Sequence, residues 1–192
     1  MNFENLFFFL EIGAVFLAVA YLLLAVRRDI RCWIAGIMSS SIYFVLMFTA
    51  NLYMESILQI FYIFMGVYGF NQWKSDIANT EEISITTWNL KTHLIVLGII
   101  FISSYFVGYI LDTYTDAKLP FLDSLTTFGA LFATYMVAKK ILENWIYWFL
   151  IDSVSIYLFI ERELYLTSIL FCLYLIIIIF GFRSWLAVFR AG

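Results

Sequence analysis

The sequence predicts an all-α integral membrane protein of seven transmembrane helices, and three observations carry that prediction. Of its 192 residues, 64% are hydrophobic and only 13% charged, against about 45–50% and about 25% in a typical soluble domain. Seven apolar runs follow one another, each close to the ~17–25 residues needed to cross a hydrocarbon core. Lysine and arginine gather in alternate connections, as cytoplasmic loops do.

The first run, near 4–26, opens with "MNFENLFFFLEIG" and carries Glu4 rather than a basic start and a small-residue cleavage site. It therefore reads as a retained membrane helix and not a signal peptide. The second and third runs fall near 33–50 and 56–73. The polar stretch "KSDIANTEEISITTWNLKTH" (74–93) reads as the one substantial loop, and a fourth run follows near 93–111. The last three lie near 120–138, 144–160 and 164–187, with short connections. Odd-to-even connections and the C-terminus hold Arg27, Arg28, Arg31, Lys74, Lys91, Lys139, Lys140, Arg183 and Arg190, whereas the other side holds Lys118 and Arg162. That asymmetry predicts the N-terminus outside and the C-terminus in the cytoplasm.

An offset of 112 overlays the sequence on itself without a gap, with 17 identities over the 65 positions from 9–73 to 121–185. Trp33 meets Trp145, Tyr62 meets Tyr174, Gly69 meets Gly181, Trp73 meets Trp185, and "LYMESIL" meets "LYLTSIL". The expected organisation is thus 3+1+3: a first three-helix repeat (1–73), a cytoplasmic loop with a linker helix (74–111) and a second repeat (112–192). An offset of four spans leaves the copies parallel, a known transporter plan with its substrate site near the midplane.

Several classes are excluded. A net charge of −3 gives no case for nucleic acid. Cys32 and Cys172 are read as free thiols, and His93 stands alone, so no metal site or cofactor is expected. Nucleophile elbows, phosphate loops and zinc-binding helix motifs are absent, which argues against an enzyme. Asp123 and Asp152 lack the Tyr-Asp and Gly-x-Gly-Asp settings of an intramembrane aspartyl protease.

Candidate functional residues come from polar groups where apolar ones are expected. Glu11 and Asp123 are paired by the repeat and read as structural or gating acids. Asp152 has no acidic counterpart, since the offset lands on Ser40. Intramembrane carboxylates usually face a bundle interior or a water-filled cavity. Trp145, Trp148 and Asp152 are spaced i, i+3 and i+7 and share one helix face. Two aromatic planes and a carboxylate there suit a flat, cationic ring. Gln59, with Tyr62 one turn on, and Tyr43 and Tyr157, which close the matching "SIY" triplets, are further candidates. Trp73 and Trp185 read as interfacial belt residues, and Gly36, Gly66 and Gly69 as sites of close helix approach.

Three stretches carry a family resemblance: "LYMESILQIFYIFMGVYGFNQW", "LPFLDS" and "ENWIYWFLID". The chain resembles the PnuC-type vitamin transporters from about Trp33 through Trp185. The resemblance implies facilitated diffusion, a homotrimer with one substrate path per protomer, and a cytosolic kinase that traps the vitamin. It also implies substrate contacts at Trp145 and Trp148, with Gln59 and Asn144 as polar partners. Nicotinamide riboside is the family's default substrate. Asp152 replaces an asparagine of the riboside carriers' pattern, which brings thiamine in as an alternative, with riboflavin third. The rival class is a non-transporting membrane scaffold, in which Asp152 and Trp148 would serve assembly alone. The expected localisation is a bacterial inner membrane.

Overall fold

A computed structural model of the chain describes residues 3–49, 53–80, 84–115, 117–161 and 165–191. Within them it has seven helices: α1 (Phe3–Val26), α2 (Arg31–Thr49), α3 (Tyr53–Thr80), α4 (Leu90–Tyr114), α5 (Pro120–Ala138), α6 (Asn144–Glu161) and α7 (Tyr165–Ala191). Arg162 and the repeat-matched pair Leu52 and Leu164 lie outside the described residues. Five helices (α1, α2, α4, α5 and α7) are long and apolar enough to cross a membrane. The other two carry Gln59 and Asn71 (α3) and Asn144 and Asp152 (α6) within their length.

One boundary expectation is overturned. The loop expected at 74–93 is helical at both ends, because α3 runs on to Thr80 and α4 starts at Leu90. "KSDIANT" is polar but holds neither proline nor glycine, so nothing in it stops a helix already propagating. Asn89 caps α4 by accepting the Thr92 N–H at 2.8 Å.

The chain forms two compact units, Met1–Ser84 and Ile85–Gly192. In the first, α2 packs against both α1 and α3. Ser39 Oγ donates to the Ala14 carbonyl at 2.8 Å, tying α2 to α1. Gly66 meets Ile37 and Gly69 meets the Trp33 indole so closely that a Cβ would collide with either, the close approach expected of them. The α1–α2 turn is a Schellman closure: the Arg28 N–H donates to Ala25 O and the Asp29 N–H to Leu24 O, both at 3.0 Å, with Arg28 at φ 57°.

Asp29 then accepts from the Arg31 backbone N–H at 2.9 Å and from its guanidinium at 2.6–3.0 Å. Those Arg31 hydrogen bonds hold the Asp29 carboxyl below its ordinary range. A depressed folded-state value means the contribution is present at neutral pH and lost as pH falls through Asp29's own titration. Arg31 is largely exposed and Asp29 partly so, and Asp29→Asn is therefore expected to cost less than about 1 kcal/mol. Thermal melts should show the difference from wild type closing on acidification.

In the second unit α4 packs on α5, α5 on α6, and α6 on α7. Pro120 opens α5 at a position where its missing N–H costs nothing. Gly108 of α4 lets Phe121 approach so closely that a Cβ there would lie 2.9 Å from the Phe121 Cα. The α5–α6 turn has the α1–α2 geometry 112 residues on: the Lys140 N–H donates to Val137 O at 3.0 Å and the Ile141 N–H to Met136 O at 2.9 Å, with Lys140 at φ 58°.

Candidate substrate site on helix α6

Helix α6 begins directly after that turn, with the Asn144 N–H donating to Ile141 O at 3.1 Å. Its inward face carries Asn144, Trp145, Asp152 and Ser155, all buried, with Trp148 half-buried on the same side. Asp152 is only 4% exposed. Among the described residues it has no hydrogen-bond or ion-pair partner. An unpaired buried carboxylate is costly, which makes this the most demanding position on the helix.

Trp145 is 2% exposed. Its indole meets that of Trp185 edge to face at 5.4 Å and 87° and lies directly against Gly181 of α7. In the first unit Trp33 does the same, meeting Trp73 at 5.5 Å and 85° and lying against Gly69. Trp73 and Trp185 are therefore fully buried and not interfacial belt residues. Each helix end folds under its neighbour's tryptophan, and the glycine four residues earlier makes room for the ring. The indole N–H groups of Trp33 and Trp145 and the Oδ1 of Asn144 are buried without a partner among the described residues. Asn144 Nδ2 donates to Ile141 O at 2.6 Å.

Tyr157, five residues on from Asp152, is turned to the far side of α6 and is 48% exposed. Asp123 stands in the first turn of α5, half-buried, where the helix N-terminus favours a carboxylate. In the first unit, Gln59 and Tyr62 are half-buried neighbours on α3. There too, Tyr43 of α2 is half-buried and within electrostatic reach of the exposed Glu11 of α1.

One cluster escaped the sequence reading. His93, Glu143 and Tyr147 meet on the opposite side of α6, beside the backbone of Trp88. Its signal was faint: a lone histidine, and a carboxylate four residues before a tyrosine on a helix. Above the cluster, α4, α5 and α6 enclose an apolar groove of about 410 Å³.

The model of the nicotinamide mononucleotide transporter family matches residues 8–187. Nicotinamide riboside transporter PnuC from Escherichia coli K12 is 22% identical over 189 residues, covering 85% of this chain and 79% of the relative. The protein of the same name from Shigella flexneri matches equally. A solved structure described as the vitamin B3 transporter PnuC superposes with a TM-score of 0.74 at 19% identity, covering 95% of this chain and 83% of that one. Both relatives are named for nicotinamide riboside and the solved structure for vitamin B3, so the thiamine alternative is not favoured. The chain belongs to the nicotinamide mononucleotide transporter family and is a multi-pass membrane transport protein, not an enzyme.

Proposed function

We propose that the protein carries nicotinamide riboside across a bacterial inner membrane by facilitated diffusion. The observation that carries this reading is Asp152: buried, without a partner among the described residues, and on the same face of α6 as Trp148. A folded protein keeps such a group where a ligand completes it. The pyridinium ring of the riboside is flat and positive and its carboxamide donates hydrogen bonds, so Trp148 offers the ring a stacking plane and Asp152 a counter-charge and acceptor. Trp145 supports the site from one turn before Trp148, through its packing on α7, and Asn144 supplies an amide beside it. The lone carboxylate favours the riboside over the mononucleotide, whose phosphate adds negative charge to that face. The relatives named for the riboside support the same choice.

Gln59, Tyr62, Tyr43 and Tyr157 are kept as further candidate substrate contacts, and Glu11 and Asp123 as structural or gating acids. The halves 1–73 and 112–192 are two copies of one three-helix plan, joined through 74–111. Their matching turns and tryptophan pairs support that view. Transport is uniport, with the N-terminus outside and the C-terminus cytoplasmic. The assembly is a homotrimer, and a cytosolic kinase traps the riboside as its phosphate.

The test is a titration of the purified protein with nicotinamide riboside, its mononucleotide, thiamine and riboflavin, followed by tryptophan fluorescence. Saturable quenching by the riboside, and at least tenfold weaker binding of the other three, is the expected result. Saturable binding of thiamine or riboflavin with no response to the riboside would overturn the reading.

A further inference from the structure

We propose that Glu143 is a positioning residue: it anchors the first turn of α6 to residues 85–93 and so presets the Trp148–Asp152 face before substrate arrives. The substrate named in this inference rests on the reading above. The need for an anchor comes from packing. Among the described residues, α4 and α6 nowhere bring Cα atoms within 8 Å of each other. The apolar groove separates them, lined by Leu97, Phe101, Leu125, Ile146, Leu150 and Val154. Helix contact alone therefore does not fix α6 on that side.

Polar contacts close the groove at the start of both helices. The Trp88 N–H donates to Glu143 Oε2 at 3.3 Å, and Glu143 Oε1 lies 3.9 Å from His93 Nε2. His93 Nδ1 is 3.0 Å from the Tyr147 hydroxyl, and the His93 ring sits between Trp88 (5.6 Å) and Tyr147 (5.8 Å). Below them the backbone is stitched to the α5–α6 turn. The Thr86 N–H donates to Lys140 O at 3.0 Å, and the Leu142 N–H donates to Thr86 O at 2.8 Å. Ile85, Ile141 and Leu142 are buried, so this bridge is a packed joint. Residues 85–93 thus grip 140–147 as a strap.

The stripe Glu143, Tyr147, Leu150 and Val154 repeats at helical spacing, opposite the face of Asn144, Trp145, Trp148 and Asp152. The strap holds the back of α6, and the front presents the site. Losing its side-chain anchor leaves the front free to wander, and the ligand must then do the ordering. The effect falls on half-saturation, with the maximal rate retained.

Hydrogen exchange and transport in liposomes, on wild type, Glu143→Ala and Glu143→Gln, decide the matter. Glu143→Ala should speed exchange in 84–90 and 140–148 together, with α7 unchanged and protection restored by saturating nicotinamide riboside. Its half-saturation should rise about tenfold at near wild-type maximal rate. Glu143→Gln, whose amide oxygen still accepts the Trp88 N–H, should rise only two- to threefold. Wild-type half-saturation in Glu143→Ala, or unchanged exchange at 140–148, overturns the proposal. So does exchange that quickens throughout the protein. Should the wild type bind no riboside, the substrate reading fails, and exchange in the unliganded proteins still decides whether the strap anchors α6.

Discussion

Asp152→Leu is expected to weaken nicotinamide riboside binding by about 10- to 100-fold and, at the same time, to raise the unfolding temperature of the purified protein. The two effects have one cause. Hydrogen bonds to charged groups are worth about 1.5–3 kcal/mol, and each ~1.4 kcal/mol is tenfold in affinity. In the unliganded protein, however, the carboxylate is buried and has no partner among the described residues. Even lenient insertion scales charge about 2.5–3.5 kcal/mol for an acid at membrane depth. An apolar side chain of similar volume removes that cost, so a gain of order 1 kcal/mol in stability should accompany the loss of affinity. A structural acid behaves in the opposite way, because its removal breaks contacts and lowers stability. Calorimetric titration and thermal melts on one preparation separate the cases. Reduced stability together with unchanged affinity would remove Asp152 from the site.

What the sequence revealed, and what it hid, follows from the range of each signal. An acid in an apolar helix is a local contradiction, so Asp152 stood out before any contact was known. Helix α5 was legible to the residue at both ends, 120–138. The segment 74–93 misled because Lys74, Ser75 and Asp76 suit a loop as well as the exposed end of a helix. Trp73 and Trp185 misled for a related reason. A tryptophan at a helix end looks interfacial until its partner is seen, and each partner is 40 residues away in the chain. The strap was hidden most thoroughly. Trp88 and His93 meet Glu143 and Tyr147 across more than 50 residues, and the residues before α4 carry no periodicity to betray the contact.

The tryptophan pairs supply the second large effect. Gly181→Ala is expected to destabilise the protein by about 1–3 kcal/mol, the usual penalty for an added group in a filled core. The new Cβ would stand 2.5 Å from Cη2 and Cζ3 of Trp145, whose ring is itself held edge-on by Trp185. Neither ring can yield without disturbing the other. In a bilayer this packing matters more than usual, because lipid tails are as apolar as the side chains and helix association relies on close contact. Gly69→Ala should cost a similar amount against Trp33. Gly98→Ala, with nothing within 4 Å of its added Cβ, should be neutral or stabilising through helix propensity alone. Gly181→Ala should also weaken substrate binding, since Trp145 lies one turn from Trp148, whereas an effect of Gly69→Ala on binding would have to come from the first half. Unfolding in mixed micelles gives the stabilities, and a Gly181→Ala/Trp145→Phe double-mutant cycle isolates the contact. The smaller ring should recover part of the loss, with a coupling of about 0.5–3 kcal/mol. Full additivity would mean that the glycine and the indole do not share a space, and the packing account of Trp145 would fall with it.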